Sequence, residues 1–376
     1  MRRVLFAGRT RYTTPLSLTH ERKFAALGQV LDYRVVGSSV NGSPAPDRFA
    51  RVRPLPWRAL EGPAFYLRLP LVVARELRSF RPDAVIAQSP YEGLAVLIAR
   101  RLARSDTRVI VEVHGDWRTA TRLYGSPVRS ALAPLADAAA AFAVRHADAV
   151  RAVSAFTGGL ARRLGVEPAA VFHTYTEIGA FTARDPVPLP SQPRLAFVGV
   201  LERYKNVDGL ASAWRRAAPR LPGVVLELVG VGRRTAVVRQ LLRDVPAQTV
   251  WHDRLEPGEI AALLDRSWAL VLPSFSEGLP RVALEALARG RPVIGSRAGG
   301  IPDAVVDGGN GLLVPSGDPE ALAEAVVRLC SDRALAEQLA ARARPSIEEL
   351  LTPPEEYARL TSDLVERACL RQTGPV

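Results

Sequence analysis

The fold is decided by the stretch Pro273-Ser274-Phe275-Ser276-Glu277-Gly278-Leu279-Pro280-Arg281-Val282-Ala283-Leu284-Glu285-Ala286-Leu287-Ala288-Arg289-Gly290. It follows the apolar run 268–272, which predicts a buried strand. Pro280 suits a first helical turn, the apolar residues that follow recur at helical spacing, and Gly290 is a typical helix end. Two carboxylates eight residues apart, Glu277 and Glu285, are therefore expected on either side of a helix N-terminus.

This geometry suggests a binding site. The backbone N–H groups of Gly278 and Leu279, together with the positive end of the helix, would attract an anion. The two carboxylates cannot bind phosphate, but they can accept hydrogen bonds from hydroxyl groups on either side of it. A ligand with hydroxyls, phosphates and further hydroxyls is a nucleotide sugar. The alternative is that the pair is an ordinary N-terminal helix acid and an exposed helix acid.

The same stretch resembles the Glu-x7-Glu signature of family 4 retaining glycosyltransferases (glycosyltransferase group 1). The resemblance continues through residues 292–296, 299–302 and 308–314. It is close over residues 195–330 and weaker in the N-terminal half. It implies the GT-B fold, an α/β architecture in which two doubly wound Rossmann-like domains face a cleft.

The pattern along the chain agrees with two such domains, because apolar strands alternate with amphipathic helices in both halves. Residues 185–193 contain four prolines and predict a semi-rigid connector. We therefore expect an acceptor-binding domain over residues 1–185 and a donor-binding domain over residues 194–350. The resemblance implies that the last helix, residues 355–376, crosses back to the first domain.

The loop after the first predicted strand, residues 8–15, is expected at the carboxyl edge of the sheet, where ligands bind in such folds. Arg9, Thr13 and Thr14 of this loop are therefore candidates for contact with acceptor or phosphate. The family usually has a glycine-rich loop here, and this chain departs from that pattern. The predicted strand 108–113 ends at His114, and Asp116, two residues on, is a further candidate for contact with acceptor or phosphate. The resemblance implies that His114 reaches the donor sugar from the first domain; a histidine that only caps a loop is the alternative.

The segment 199–208 resembles the part of the family that holds the donor diphosphate with an arginine and a lysine. Lys205 matches the lysine, whereas Val200 stands at the arginine position, and Arg203 is the candidate substitute. Lys205 is one of two lysines in the chain, the other being Lys23, so its place here favours a function. Arg254 falls where the family contacts the base and is a further donor-binding candidate.

These residues predict a catalyst for sugar transfer. Lys205, Arg203 and the backbone of Gly278 and Leu279 would hold the departing diphosphate. Glu277 would orient sugar hydroxyls, and Glu285 would accept hydrogen bonds from the ribose. No Asp-x-Asp pair lies in a plausible donor loop, so no metal and no cofactor other than the donor substrate is expected. The resemblance implies retention of anomeric configuration.

The composition limits the classes of protein to which the chain can belong. A chain of 376 residues with 48% hydrophobic and 23% charged residues is typical of a globular protein. The two cysteines, Cys330 and Cys369, imply neither a disulfide framework nor a zinc site and favour the cytoplasm. No apolar run is long enough to predict a transmembrane helix, and the first residues predict a strand and not a signal peptide.

The net charge of +12 is placed unevenly. Residues 1–190 hold 27 Arg and Lys against 15 Asp and Glu, whereas the remaining residues hold 23 of each. Arg51, Arg53 and Arg58 surround the sequence Pro-Leu-Pro-Trp at residues 54–57, and three more arginines, at positions 68, 75 and 78, follow on a predicted helix. Arginine mixed with Trp and Leu suits an anionic membrane surface. We therefore expect a peripheral enzyme at the cytoplasmic face with a lipid-linked or other anionic acceptor; an arginine-biased soluble surface is the alternative.

The sequence also leaves other function classes open. The GT-B fold carries epimerases and phosphorylases that use nucleotide sugars or related substrates. A sequence pI near 10.5 allows a basic protein that binds anionic ligands, but the chain has no recognition-helix motif, aromatic stacking set or basic arm, so nucleic acid is not expected as a partner. Gly230-x-Gly232 lacks a third glycine and gives weak support to a dinucleotide enzyme.

Overall fold

The computed structural model describes residues 1–13, 15–39, 48–52, 58–123 and 131–370. The chain forms two compact units. The first unit comprises Met1–Arg118, Pro127–Glu177 and Thr352–Val376, and the second comprises Thr119–Ser126 and Ile178–Leu351. The final segment of the chain therefore returns to the first unit.

Parallel strands and helices alternate through both units. The strands are β1 (Arg2–Tyr12), β2 (Leu31–Ser39), β3 (Phe49–Arg51), β4 (Ala84–Ala87), β5 (Arg108–Val113), β6 (Ala149–Ala152), β7 (Ala170–Val171), β8 (Arg194–Val198), β9 (Val225–Val229), β10 (Thr249–His252), β11 (Ala269–Leu272), β12 (Val293–Ser296) and β13 (Gly311–Val314). The helices are α1 (Leu18–Val30), α2 (Arg58–Ser79), α3 (Pro90–Ala103), α4 (Trp117–Leu123), α5 (Ala133–His146), α6 (Ala155–Arg162), α7 (Gly179–Thr182), α8 (Val207–Ala217), α9 (Thr235–Asp244), α10 (Pro257–Asp265), α11 (Arg281–Ala288), α12 (Ile301–Ala304), α13 (Pro319–Ser331), α14 (Arg333–Ala343) and α15 (Pro354–Leu370).

The sheet of the first unit has the strand order β3-β2-β1-β4-β5-β6-β7, and its strand pairs are all parallel. Its central strands are buried on both faces, which explains their continuous apolar sequences. Helices α2, α3 and α5 pack on one face, around Leu69, Val96 and Ala143. Helices α1 and α15 pack on the other face, around Leu27 and Leu364.

The sheet of the second unit has the order β10-β9-β8-β11-β12-β13 and is also parallel throughout. Trp214 of α8 and Leu329 of α13 lie in the core on one face, whereas Leu264 of α10 and Leu287 of α11 lie in the core on the other. The sheet order steps outward in both directions from β8 and β11, so the loops after these two strands leave the same edge side by side. The predicted class, two doubly wound α/β units, is confirmed.

The proline-rich segment 185–193 lies within the second unit and not at its border. Carbonyl groups in this segment and just before it accept hydrogen bonds from two buried guanidinium groups. Arg289 donates to the carbonyls of Arg184 and Asp185, and Arg291 donates to that of Val187 at 2.9 Å. Proline lacks an N–H donor but keeps its carbonyl, so a proline-rich stretch of chain can be held by donors from one side. Apart from the short segment Thr119–Ser126, the chain passes from one unit to the other at residues 177–178 and again at 351–352.

Several local predictions differ from the structure. The expected loop 8–15 begins with strand, because β1 continues to Tyr12 and pairs with β2 again after an irregularity between Ala7 and Arg11. Pro280 precedes α11 as its N-cap and does not occupy the first turn. Helix α4 and strand β3 had no sequence prediction. Residues 53–57 and the side chains of Arg51 and Arg58 lie outside the described residues.

In the part of the chain that the structure describes, no helix combines the length and the apolarity that crossing a bilayer requires.

Candidate functional site

Lys205 and Glu277 meet at the carboxyl edge of the second sheet. The Lys205 ammonium nitrogen lies 2.7 Å from Oε1 of Glu277. Lys205 is only 8% exposed, and the Glu277 side chain is largely buried as well. An ammonium group has three donors, and this ion pair uses one of them. A partly desolvated cation is thus held beside a carboxylate, and the ion pair leaves two of its N–H donors unused.

Two loops place this pair. Lys205 ends a short 3-10 turn, Arg203–Lys205, that follows β8, and Glu277 lies in the loop after β11. The backbone N–H of Phe275 donates to the carbonyl of Tyr204 at 2.7 Å, which ties the two loops together. Asn206, in the left-handed conformation, then caps α8 by accepting from the N–H of Gly209. The pair therefore forms because the loops that follow two neighbouring strands, β8 and β11, lie side by side.

Glycines allow the backbone to pack closely around the pair. Gly299 has φ +57°, and a Cβ there would lie 2.3 Å from the carbonyl oxygen of Glu277. The next residue, Gly300, donates its N–H to that same oxygen at 2.9 Å. Gly230 has φ +138°, and a Cβ there would lie 2.0 Å from the carbonyl oxygen of Gly199. These two positions exclude a side chain on steric grounds.

Glu285 lies on α11 and is 7% exposed. Its Oε1 accepts a hydrogen bond from Nε of Arg281, one turn earlier, at 2.7 Å. Burial raises the pKa of Glu285, and the Arg281 guanidinium offsets part of that rise. A buried carboxylate with one oxygen unaccounted for by this ion pair is a suitable acceptor for ligand hydroxyl groups.

The remaining second-unit candidates are more exposed. Gly278 and Leu279 lie in the loop before α11, because the helix begins only at Arg281. Arg203 is exposed and, with Arg234 and Phe275, lines an open pocket of about 540 Å³. Arg254 is more exposed still, with 83% of its side chain accessible, and its Nε is 3.3 Å from Glu256.

The first unit has its own cleft, of about 440 Å³, at the carboxyl edge of its sheet. Two residues predicted from the sequence, Arg9 and His114, line it. The other lining residues were not predicted: Thr10, Tyr12, His20, Lys23, Gln88, Ser89, Glu92, Glu112 and Thr174. Hydroxyl, amide and charged groups make up most of this lining, so the cleft suits a polar, hydroxylated ligand.

A buried ionic network lies under His114. Nε2 of His114 is 2.9 Å from Oε2 of Glu112, and the other carboxylate oxygen of Glu112 accepts from Arg151. Arg151 is 1% exposed and stacks on the ring of Phe172, with 4.0 Å between guanidinium carbon and ring centroid. Burial alone would raise the pKa of Glu112, but Arg151, His114 and Lys23 together hold it well below its usual range. Glu112 is therefore an ionised partner that fixes the ring of His114.

Lys23 completes this network and is the second lysine that the sequence singled out. Its ammonium lies 5.0 Å from the centroid of the Tyr357 ring. Burial would lower the pKa of Lys23, but Tyr357, Glu112 and Tyr12 together raise it. Two sequence signals could have found the network: the rarity of lysine, and the position of Glu112 two residues before His114, on the same face of a strand.

Three residues predicted in the first domain have local roles or are not described. The hydroxyl of Thr13 donates to the carbonyl of Pro15 at 2.8 Å, which forms a turn. Asp116 accepts from the backbone N–H of Arg118 at 3.0 Å at the start of α4. Thr14 lies outside the described residues. Thr174, which the sequence did not single out, accepts from Arg151 and lines the cleft.

Within the described ranges, no group of three or more His, Cys, Asp and Glu side chains has the arrangement of a metal site.

Family comparisons match both halves of the chain. The sequence model described as "Glycosyl transferases group 1" matches residues 182–345, and that described as "Glycosyl transferase 4-like domain" matches residues 22–174. The first match contains Lys205, Glu277 and Glu285, and the second contains Glu112 and His114. All five therefore lie in regions that the two family descriptions cover.

Comparisons with individual proteins agree with these family matches. The glycogen synthase of Mycobacterium tuberculosis is 32% identical over 283 residues, which cover 71% of this chain and 64% of that protein. The chain thus matches a little under two thirds of the length of that relative. The sucrose-phosphate synthase of Thermosynechococcus elongatus has the same fold, with a TM-score of 0.77, 20% identity and coverage of 98% of this chain and 99% of that one. Anabaena HepE, solved in complex with UDP, gives a TM-score of 0.71 at 16% identity and covers 97% and 100%.

Proposed function

Because the chain belongs to the group 1 glycosyltransferases, we propose that it moves a sugar from a nucleoside-diphosphate sugar to a glycan or lipid-linked acceptor. The observation that carries this proposal is the ion pair of Lys205 and Glu277 at the edge of the second sheet. Sugar transfer builds negative charge on the departing diphosphate and positive charge at the anomeric carbon. A cation and a carboxylate held 2.7 Å apart match those two charges.

In this proposal the ammonium of Lys205 donates to the diphosphate with the hydrogens that its bond to Glu277 does not use. The backbone N–H of Leu279, next to Gly278, adds a further donor before α11. Arg203 is close in sequence and exposed, so it is available to the outer phosphate. Little reorganisation is needed, because Lys205 is already buried and fixed in place.

Glu277 takes the sugar side of the site, where it accepts hydrogen bonds from sugar hydroxyls and stabilises the developing positive charge. Glu285 accepts hydrogen bonds from the ribose hydroxyls. Its raised pKa reflects burial, and a buried carboxylate gains from each hydroxyl donor that it receives. Arg254 is proposed to contact the base. His114, oriented by Glu112, contacts the sugar or the acceptor.

We propose that the anomeric configuration is retained. The bond between the anomeric carbon and the diphosphate oxygen breaks, and the acceptor oxygen forms its bond on the same face. The acceptor proton passes to the departing diphosphate oxygen, so no separate protein base is required. Lys205 and the loop before α11 neutralise the charge in this scheme, and transfer proceeds without a divalent metal ion or other cofactor.

The acceptor is proposed to bind in the first-unit cleft, whose polar lining suits hydroxyl groups. The excess of positive charge lies in the N-terminal half of the chain. We therefore propose an anionic or lipid-linked acceptor and a peripheral enzyme at the cytoplasmic face of a membrane.

The experiment that tests the proposal measures the melting temperature with a panel of nucleotide sugars, free nucleotides, NAD and sugar phosphates. We expect stabilisation by at least one nucleoside-diphosphate sugar, and the same donor should then give transfer to acceptor and release of nucleoside diphosphate. Conversion of the donor without an acceptor would indicate an epimerase, and a response only to sugar phosphates would indicate a phosphorylase. Stabilisation by NAD alone would contradict the proposal.

A further inference from the structure

Three neighbouring helices of the first unit share one layer. Helices α2, α3 and α5 cover one face of the sheet, and α3 packs against both of the others. Each helix already buries an apolar side in the core, through residues such as Leu69, Val96 and Ala143. Their opposite sides form what we call the outer helical face. The apolar residues of that face are therefore additional to those that stabilise the fold.

The outer helical face carries large apolar side chains in the solvent. Leu67, Leu71 and Leu135 are 77%, 65% and 71% exposed. Ile98, Leu102 and Phe142 are also exposed. The two pairs on α2 and α3 are each spaced by four residues, so each pair lies on one side of its helix. Single exposed leucines are common, but six large apolar residues on three packed helices indicate a surface that meets another apolar phase.

The charges on this face are of one sign. Its exposed charged residues are the arginines at positions 68, 75, 78, 101 and 145. The acidic residues of the described parts of α2, α3 and α5 are withdrawn: Glu76 and Glu92 are buried, and Glu61 and Asp137 are partly buried. The outer helical face therefore combines leucine-rich apolar surface with exposed positive charge.

We propose that the outer helical face docks on an anionic lipid bilayer. Arginine heads match the phosphate groups, while the Leu, Ile and Phe side chains enter the boundary between head groups and acyl chains. A second copy of this chain is disfavoured as the occupant, because two such faces would bring arginines against arginines. Nucleic acid is disfavoured because Phe142 is the only aromatic among the six apolar side chains, too few to stack bases. Only the purpose of this docking rests on the proposed function: it would hold the enzyme near a membrane-linked acceptor.

The test is sedimentation of the full chain with vesicles of phosphatidylcholine alone or mixed with phosphatidylglycerol. We expect binding to the mixed vesicles only, weakening as NaCl rises. Replacing Arg75 and Arg101 by Gln should weaken binding by about fivefold for each arginine at low salt. Leu67→Gln with Leu71→Gln should weaken it further. Both changes keep good helix formers at exposed positions, so folding is preserved.

The matched control carries Val306→Ser and Arg328→Gln, which change one exposed apolar residue and one exposed arginine of the second unit. This control should bind vesicles like the unchanged protein. Equal binding by the α2 and α3 variants would overturn the proposal, as would binding to neutral vesicles or no binding at low salt. Stabilisation by a nucleotide sugar, measured without vesicles, tests the proposed function separately, so the two failures are distinguishable.

Discussion

Lys205 and Glu277 are 72 residues apart in sequence, yet the ammonium nitrogen of one lies 2.7 Å from a carboxylate oxygen of the other. The two side chains come from loops that follow neighbouring parallel strands, β8 and β11. Each side chain is largely buried, and each has the other as its close partner of opposite charge. A substitution at either residue therefore changes the electrostatics of both.

Lys205→Ala should lower kcat/KM by about 30- to 1000-fold, which corresponds to a loss of about 2–4 kcal/mol of transition-state stabilisation. The physical reason is the loss of a fixed cation beside the departing diphosphate. Steady-state kinetics with the donor found by the stabilisation panel measures the effect. Arg216→Ala is the control, because Arg216 is exposed and its described bonds reach only Ser212 of its own helix. Unchanged kinetics in Lys205→Ala would show that the diphosphate binds elsewhere.

Glu285→Ala should weaken binding of the free nucleoside diphosphate and leave kcat nearly unchanged at saturating donor. The ribose is the same before and after transfer, so its contacts contribute equally to the ground state and the transition state. Isothermal titration calorimetry gives the dissociation constant. Arg281→Ala is the comparison, since it removes the ion-pair partner but keeps the carboxylate. If both variants bind the nucleotide as tightly as the unchanged protein, Glu285 has a structural role only and does not contact the nucleotide.

Transfer should survive EDTA. The proposal assigns neutralisation of the diphosphate to Lys205 and to backbone donors, so removing divalent ions should not change the rate. The measurement compares initial rates in EDTA with rates in Mg²⁺ and in Mn²⁺. A rate that is lost in EDTA and restored by either ion would assign the neutralisation to a metal.

Gly299→Ala should impair both stability and transfer. The new Cβ would lie 2.3 Å from the carbonyl oxygen of Glu277 at a backbone angle that disfavours alanine, at a cost of about 1–3 kcal/mol. Because the strain falls on Glu277, activity should fall more than the melting temperature alone explains. Gly258→Ala is the matched control: Gly258 lies in α10 with no neighbouring atom within 4 Å of a Cβ, so the change should stabilise by about 0.5–1 kcal/mol. Similar effects of the two changes would contradict the close packing at Gly299.

Glu112→Gln should lower the free energy of unfolding near neutral pH by about 3–5 kcal/mol, because it leaves the buried Arg151 without its counter-charge. The pKa of Glu112 is lower in the folded protein than in the unfolded chain, so the folded state binds fewer protons. Its contribution is complete above the unfolded value of about 4.3 and declines as the pH falls further. The difference between variant and unchanged protein should therefore shrink below about pH 4.

Urea unfolding at several pH values measures this difference. The control is Glu324→Gln, which breaks an exposed pair with Arg220 and should have a much smaller effect at every pH. A difference for Glu112→Gln that does not depend on pH would show that Glu112 is not the ionised partner of Arg151. Because Glu112 also fixes the ring of His114, the same variant should lose transfer activity while keeping nucleotide affinity in the second unit.

The sequence by itself determined the class of fold. Buried parallel strands are short apolar runs, and they alternate with helices whose apolar residues recur at helical spacing. These are local properties, so the order of strand, loop and helix over residues 268–290 follows from the residues themselves. The sequence also singled out Lys205 as a candidate site residue, because lysine is so rare in this arginine-rich chain.

Only the tertiary structure decided which side chains meet. The pairing of Lys205 with Glu277 depends on which strands are neighbours in the sheet, and sequence order does not specify this. The network of Lys23, Glu112 and Arg151 joins helix α1 to strands β5 and β6. None of these three residues belongs to a sequence motif that would have indicated it. The outer helical face likewise depends on which three helices pack together. Contacts between distant segments follow from the packing of whole elements, so local patterns cannot reveal them.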